Sequence, residues 1–560
     1  MTFEFTPAQR ALIESESGGF FEACPGAGKT QTIVERFATR ADTENSRRGV
    51  ALITFTNAAA EEAQRRCSHK PELLQAPNFV GTIDSFINRF FAAPFYKARF
   101  CKTPTFWDSW SSLDSAVVTI KGQAPAPLDD FICHNDRATL LDKYRWKYKH
   151  YPIRALESAA HAKWKELTKA GHLDADTSRL LARIEIEENR YGIVELLATR
   201  FEEVIVDEVQ DCNTVDLLVL RTLQESGIRL ITVGDIDQSI YEFRGTSVAE
   251  VRNFVDSRDR QPRINTNFRS SPAICKIVDS LREGTSTDTA GGRASSCEIP
   301  VHLVGYRETS DIGPSVKAVM DQYQELSQPV FLAHKGDNAA LAAGGRAKKK
   351  TSANKVAVLA GSCNELLYPS STTAQRTRAL IDIGLSLQRL HPDKGLAKAS
   401  EERYLESLGL TKSAYRELCL RFAVAAGDPT GLSRGDFREK VVQVADKFGV
   451  ALDRDRTKTP LANVWIWDGV PTAENQYEHS TIHGFKGLET DSVVLIIPGD
   501  NWTGDTIRDW SEDQSSEARR VLYVGASRAE RLLILAVHSR YIDAVKAILE
   551  RDAVPLALSR

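Results

Sequence analysis

At 560 residues, with 42% hydrophobic and 26% charged residues, the chain is long enough for roughly three to four domains and has the composition of an ordinary globular protein. Its 72 Lys+Arg against 75 Asp+Glu leave a formal charge of -3, which excludes a histone-like polycation, so any nucleic-acid surface must be local. Its apolar runs, of which Val493 to Ile497 is among the longest, are too short to cross a bilayer, so no membrane is expected among its partners.

Met1 to Phe20 lacks a basic segment followed by an apolar stretch and a small-residue cleavage site, so no secretory signal is expected and the cytoplasm is the default. Nine scattered cysteines without a Cys-x-x-Cys pair argue for free thiols rather than a zinc ribbon or a disulfide framework.

Phe20 to Thr30 reads FFEACPGAGKT and runs into a segment of helical character, Gln31 to Ala41. A turn carrying Gly26 and Gly28 wraps backbone N-H groups around phosphate oxygens at a helix N-terminus, with Lys29 reaching the terminal phosphates and Thr30 binding magnesium. Ala23 stands where this phosphate-binding pattern has its first glycine; Cys24, Pro25, Ala27 and Gln31 complete the expected nucleotide contacts.

Apolar strand-like runs recur at Gly49 to Thr54, Val204 to Val206, Leu230 to Val233, Val493 to Ile497 and Leu532 to Val537, with helical stretches between them. Strands apolar on both faces that alternate with helices predict parallel sheets covered by helices, here in two α/β lobes. Asn88 to about Tyr191 and Thr373 to Val450 read as helical insertions, and Gly344, Gly345 and Lys348 to Lys350 as a basic loop. The run Val204-Ile-Val-Asp-Glu-Val-Gln-Asp211 carries two carboxylates off a buried strand. Asp207 is expected to hold magnesium through water, and Glu208 to orient and deprotonate the attacking water.

The ordered series of motifs closely resembles the UvrD/Rep/PcrA-like superfamily 1 helicases. Phe5-Thr-Pro-Ala-Gln9 is similar to the family's adenine-reading glutamine motif. Thr54-Phe-Thr-Asn57 and Thr82-Ile-Asp-Ser-Phe86 are similar to its strand-contacting motifs. Gly234 to Gly245, Asn267-Phe-Arg-Ser270, Thr481 to Glu489 and Tyr523 to Ala529 complete the set. The resemblance implies two RecA-like P-loop NTPase lobes, ATP and Mg2+ as cofactors, single-stranded or tailed duplex DNA as partner, and 3' to 5' movement. It divides the chain into a first lobe (1–88 and 193–265) with a helical insertion (89–192), and a second lobe (266–360 and 466–560) with a reduced helical insertion (361–465).

By the same resemblance Arg269 and Arg528 act as arginine fingers, Gln238 senses the terminal phosphate, Gln9 and Phe268 meet the adenine and Glu489 the ribose. Phe55, Thr56, Asn57, Thr82, Ser85, Phe243, Arg244 and His483 contact the strand, Phe243 by stacking where the family often has Trp. Three positions depart from the family pattern: Ala58 where Lys is typical, Asp84 where His is typical, and Gly484-Phe485 where small polar residues are typical. A lost cation and a gained anion beside phosphates are expected to weaken strand binding. Within Asp142 to Trp164, the run DKYRWKYKHYP alternates cations and aromatics, and reads either as a nucleic-acid surface or as a solvated charged face over an aromatic core.

No nuclease motif follows the last helicase motif, so a fused helicase-nuclease is not expected. The alternative reading, a DNA-sensing regulatory ATPase beside a separate nuclease, follows from a resemblance to the compact UvrD-like component of Gabija-type anti-phage systems.

Overall fold

The computed structural model describes residues 4–41, 48–113, 115–121, 123, 125–240, 247–344, 355–367, 371, 373–399, 401–429, 432–457 and 477–559. They form two compact units, one of Met1–Gly305 with Ile482–Arg560 and one of Tyr306–Thr481.

The first unit holds a five-stranded sheet made of β1 (Gly19–Glu22), β2 (Gly49–Thr54), β3 (Phe79–Thr82), β4 (Phe201–Val206) and β5 (Arg229–Gly234). The strands lie in the order β1-β5-β4-β2-β3, and every neighbouring pair is parallel. All six residues of β2 are buried, which is why these strands read as continuous apolar runs rather than alternating ones. Helices α1 (Pro7–Glu14), α2 (Lys29–Ala41) and α3 (Asn57–Cys67) flank the sheet. In the core Arg36 of α2 makes a two-pronged pair with Glu203 of β4, at 2.7 and 2.8 Å. The carboxyl ends of β1, β5 and β4 are adjacent, the place where an open parallel sheet binds its ligand.

After β3 the chain leaves this sheet and returns at β4. The excursion was expected to be helical; it contains α4 (Ile153–Ala170) and α5 (Ala175–Glu188) but also three short strand pairs. Thr105–Trp107 runs parallel to His172–Asp174, while Val117–Val118 with Ala126–Pro127 and Phe131–Cys133 with Ala138–Leu140 are antiparallel. Prolines and β-branched or aromatic residues break the helical periodicity there. Its aromatic residues, Trp110, Tyr148 and Trp164 among them, join Phe86, Phe90 and Phe201 in one hydrophobic core.

Helix α6 (Thr214–Glu225) follows the acidic motif and is entered through a capping box, in which Asn213 accepts from the Asp216 N-H and Asp216 from the Asn213 N-H. The same unit contains β6 (Val301–Tyr306), β7 (Thr490–Ile497), β8 (Ala529–His538) and β9 (Leu556–Ser559), in the order β7-β8-β6-β9. Pairs β7–β8 and β6–β9 are parallel, and α7 (Glu517–Ala526) leads into β8.

In the second unit Val330–Ala333 pairs in parallel with His479–Thr481. Helices Lys355–Leu367, Thr373–Arg389, Lys412–Ala426 and Arg434–Phe448 pack around Ile383, Leu387, Phe422 and Val441. All nine cysteines are free thiols. Among the described residues no helix is long and apolar enough to cross a membrane.

Candidate active site

The loop from β1 to α2 makes an anion cradle. Gly26 and Gly28 have φ of 69° and 70°, the left-handed region that glycine tolerates. A Cβ on Gly26 would overlap the Asn267 amide oxygen and the Arg269 Cβ, so the close approach of that segment also requires glycine. Lys29 opens α2, and Thr30 and Gln31 follow it within the first turn, where backbone N-H groups have no partner inside the helix. Ala23, Cys24, Pro25 and Ala27 are buried, and the Ala23 N-H donates to the Gly234 carbonyl at 3.0 Å. With its small residue at position 23 the loop remains tied to the sheet.

Gln9 sits behind this loop rather than beyond it. It is fully buried: its Nε2 donates to the Ala27 carbonyl at 3.0 Å, and its Oε1 accepts from the Thr6 N-H at 2.8 Å in the capping box of α1. The amide therefore braces the loop.

At the end of β4, Asp207 is buried and Glu208 takes a φ of 52°, a left-handed conformation costly for a residue with a side chain. That turn aims the Glu208 carboxylate at Lys29, whose Nζ is 3.4 Å from Oε1, while Gln210 donates to the other oxygen. Burial penalises the charge on Glu208, but Lys29 and Lys486 outweigh it and hold the carboxyl below its ordinary range. Burial and the Glu208 charge push the Asp207 carboxyl up instead. Burial likewise opposes the Lys29 charge, yet the surrounding carboxylates keep this ammonium above its ordinary value. The result is an ionised acceptor, a cation and a second acid in one pocket. Positive-φ glycines, Lys29, the Thr30 hydroxyl and the Asp207 carboxylate make a donor set that fits a nucleotide phosphate with a hard divalent cation.

Cations from later in the chain face this pocket. Residues 260–264 run beside β1, with parallel bridges Phe20 to Arg260 and Ala23 to Ile264, and the Phe268 N-H donates to the Gly26 carbonyl at 2.9 Å. Phe268 is half-buried. Next to it Arg269 pairs with Glu489 at 2.5 Å and donates to the Ser527 carbonyl at 3.1 Å, so the two residues expected at the terminal phosphate and the ribose hold each other. Arg528 is buried and donates to the Gln238 Oε1 at 3.2 Å. Among the described residues it has no carboxylate partner within ion-pair distance, and burial, with the like charge of Arg269, pushes its pKa down to about 9. A guanidinium in that position is charged at neutral pH and gains from any anion brought to it.

The segment Asp235 to Ile240 is gripped along its length by groups that the motifs mark only as strings. Asp235 caps the turn Ile236–Gln238, and its carboxylate accepts from the Gln238 Nε2 at 2.9 Å and from the Tyr523 hydroxyl at 2.8 Å. Arg520 donates to the Ser239 carbonyl at 2.8 Å. Lys486 bonds both oxygens of Asp211 at 2.7 Å and the Gln238 carbonyl at 3.0 Å. For Asp211 burial prevails over this pairing and raises the carboxyl to about 6. The His483 Nε2 donates to the Ile240 carbonyl at 3.1 Å.

Sequence reasoning named Gln238, Arg528 and His483 and missed Lys486, Asp211, Asp235, Arg520 and Tyr523. All but Arg520 lie inside motifs quoted from the sequence, but the strings do not say which member turns inward.

The expected strand contacts occupy loop and helix starts. Phe55 is half-buried, and Thr56 and Asn57 are exposed at the N-terminus of α3, where the Thr56 Oγ1 accepts from the Ala59 N-H. Thr82 likewise caps the next turn, accepting from the Ser85 N-H, and the Ser85 hydroxyl donates to the Thr82 carbonyl at 2.7 Å. Phe243 and Arg244 lie outside the described residues. The expectation attached to Asp84 needs correction. Its carboxylate is 2.7 Å from Arg179 of the insertion, so the gained anion has a cation beside it, one that it shares with Asp216.

The UvrD/REP helicase N-terminal domain family matches residues 5–259, and the UvrD-like helicase C-terminal domain family matches residues 469–540. The chain is 26% identical over 287 residues to DNA helicase II of Escherichia coli, covering 50% of this chain and 40% of that protein. It is 23% identical over 564 residues to ATP-dependent DNA helicase UvrD2 of Mycobacterium tuberculosis, covering 91% and 75%. To ATP-dependent DNA helicase PcrA of Bacillus subtilis it is 22% identical over 323 residues, covering 55% and 43%. The chain thus spans well under two thirds of the length of the DNA helicase II proteins it matches.

Proposed function

Since the chain belongs to the UvrD-like helicase family of superfamily 1, we propose that it is a DNA-stimulated ATPase that moves along single-stranded DNA in the 3' to 5' direction. The observation that carries this reading is the convergence of Lys29, Glu208, Gln238 and Arg528 on one buried pocket, with Gln238 bonded on one side to Arg528 and on the other to Asp235.

In this reading Gly26, Ala27, Gly28 and Lys29 bind the phosphates of ATP, and Thr30 and Asp207 hold Mg2+. The ion, when bound, supplies charge neutralisation at the transferring phosphoryl group. Glu208, held ionised by Lys29 and Lys486, orients a water and accepts its proton. Arg528 gives up the Gln238 amide for the terminal phosphate, and Arg269 gives up Glu489, which frees that carboxylate for the ribose hydroxyls. Departure of the phosphate returns Arg528 to Gln238. The turn carrying Gln238 leads directly into residues 241–246, where Phe243 and Arg244 are proposed to meet the strand, so one short segment links the phosphate to the DNA.

The alternative, a regulatory ATPase beside a separate nuclease, draws on the reduced second insertion and on the departures at Ala58, Asp84 and Gly484-Phe485. Arg179 partners the Asp84 carboxylate at 2.7 Å, which lessens one of these departures and supports the translocase reading. Unwinding by the isolated chain tests it. Release of the shorter strand from a 3'-tailed duplex, and none from a 5'-tailed one, is the expected result. ATP hydrolysis stimulated by single strands without unwinding of either duplex would select the alternative.

A further inference from the structure

The basic and aromatic run at Asp142 to Tyr148 is a 3-10 helix. Three residues per turn place side chains i and i+3 in line. Lys143, Trp146 and Lys149 therefore share one edge, Tyr144 and Lys147 a second, and Arg145 and Tyr148 a third.

Two of these edges are tied down. Tyr148 is buried and its hydroxyl donates to the buried carboxylate of Asp130. The Lys147 ammonium lies 3.4 Å from the same carboxylate and 4.0 Å from the centre of the Tyr144 ring. Asp142, the one carboxylate in the run, is paired with Arg145 at 2.6 Å.

The remaining edge faces solvent. Trp146 is 67% exposed and is the one aromatic among the exposed large hydrophobic residues of the described chain. Lys149 beside it is exposed as well, and so is Lys143, whose ammonium lies 5.1 Å from the centre of the Tyr144 ring. A tryptophan is usually well buried, and this one is held outward by an anchored turn rather than left out by a loose one.

We propose that the Lys143-Trp146-Lys149 edge is a second nucleic-acid contact, on which an unpaired base of the DNA stacks against the indole while the two ammonium groups meet the flanking phosphates. Stacking with flanking cations is how single strands are held without sequence preference. A protein partner fits less well, because lysine is depleted at protein interfaces. With Arg145 held by Asp142 and Lys147 by Asp130, Lys143 and Lys149 supply, on a chain of net charge -3, the local positive surface that overall composition does not. The proposal rests on the reading that the chain binds single-stranded DNA.

The test uses the full chain, fluorescent oligo-deoxythymidine, and Trp146→Ala, Trp146→Phe and the Lys143→Ala/Lys149→Ala pair. Trp146→Ala should weaken binding about five- to a hundredfold, the loss expected for one base-aromatic stack, and Trp146→Phe much less. The lysine pair should make the slope of log affinity against log salt shallower by roughly 1.4, at about 0.7 per phosphate. DNA-independent ATPase and melting temperature should not change. An oligonucleotide carrying 5-iodouracil should crosslink to the peptide that contains Trp146.

Unchanged affinity, slope and crosslinking pattern in the variants, while the parent binds the strand, overturns this edge alone. A parent chain that binds no single strand overturns both this proposal and the reading beneath it. Loss of binding to anionic vesicles in Trp146→Ala, with DNA binding intact, reassigns the edge to a membrane surface and overturns the proposal too.

Discussion

Arg179, on helix α5 of the insertion, lies 2.7 Å from Asp84 in the strand-contacting motif and 2.9 Å from Asp216 at the start of α6. The two bridges differ in environment, since the Asp216 side chain is 1% exposed and that of Asp84 is 50% exposed. Removing the guanidinium leaves a buried carboxylate without its cation, a change that typically costs about 3–5 kcal/mol. Removing the half-exposed carboxylate breaks a bridge of about 1 kcal/mol or less. Arg179→Ala should therefore lower the melting temperature markedly and weaken strand binding, because Asp84 is then bare. Asp84→Asn should leave both nearly unchanged. Equal melting temperatures for Arg179→Ala and the parent would remove the bridge from any structural role.

Lys29→Ala and Glu208→Gln should both abolish DNA-stimulated ATP hydrolysis, by different routes. Lys29 neutralises phosphate charge, so its loss should also weaken nucleotide binding, whereas Glu208→Gln removes the proton acceptor and should leave binding largely intact. Turnover at the parent rate in Glu208→Gln would take it out of catalysis.

For the two arginines the expectation is retained ATP affinity, within a modest factor, with hydrolysis reduced on the order of a thousandfold in either Arg269→Ala or Arg528→Ala. Arg528 is buried with amide, hydroxyl and carbonyl partners and no carboxylate, so it is the better placed to respond to phosphate. Arg269 must first leave Glu489. Single-turnover measurements with each variant check this, and parent-like hydrolysis in one of them would take that arginine out of catalysis.

The parallel sheets were legible because strands buried on both faces leave uninterrupted apolar runs, and the phosphate loop because its glycines and Lys-Thr pair serve one chemistry. Three things were not legible. The first insertion read as helical because Lys and Trp spacing in Ile153–Ala170 dominates the pattern, while the two- and three-residue strand pairs before it are too short to show a period. Asp84 read as an isolated anion because its partner Arg179 is far along the chain and carries no motif. Lys486 and Tyr523 stood inside recognised strings, but burial and partner are properties of the folded segment around Asp235 to Ile240.

Asp279 and Asp288 bear on pH. Both Asp279 oxygens accept from the Asp288 N-H, at 3.0 and 3.2 Å; burial and then the Asp288 charge push the Asp279 carboxyl up to about 7, while at Asp288 burial with the charges of Asp235 and Glu22 prevails over Arg282 and raises that carboxyl to about 7. A raised carboxyl binds more protons folded than unfolded, so its stabilising contribution is complete below about pH 4 and is lost as pH rises through about 7. Asp279→Asn keeps an acceptor for the N-H and removes the repulsion, so its melting temperature should fall less steeply than the parent's between pH 5 and 8. Parallel curves for the two proteins would show that the pair does not titrate there.

Tyr523→Phe isolates the grip on the sensor turn. The lost hydroxyl donates to Asp235, which also receives the Gln238 amide, and it accepts from the buried Arg282 at 2.8 Å. Arg282 keeps Asp288 at 2.7 Å, so the unmet demand falls mainly on the Asp235 carboxylate and is worth about 1–3 kcal/mol. A purely structural hydroxyl would lower the melting temperature and leave turnover at low temperature as it was. If instead Tyr523 fixes Asp235 so that Gln238 faces Arg528, loosening it should lower kcat about tenfold, equivalent to about 1.4 kcal/mol in the transition state, with KM for ATP unchanged. Steady-state kinetics well below the melting temperature, beside thermal unfolding of the same preparation, distinguish the two. A parent-like kcat with a lowered melting temperature would assign Tyr523 to stability alone.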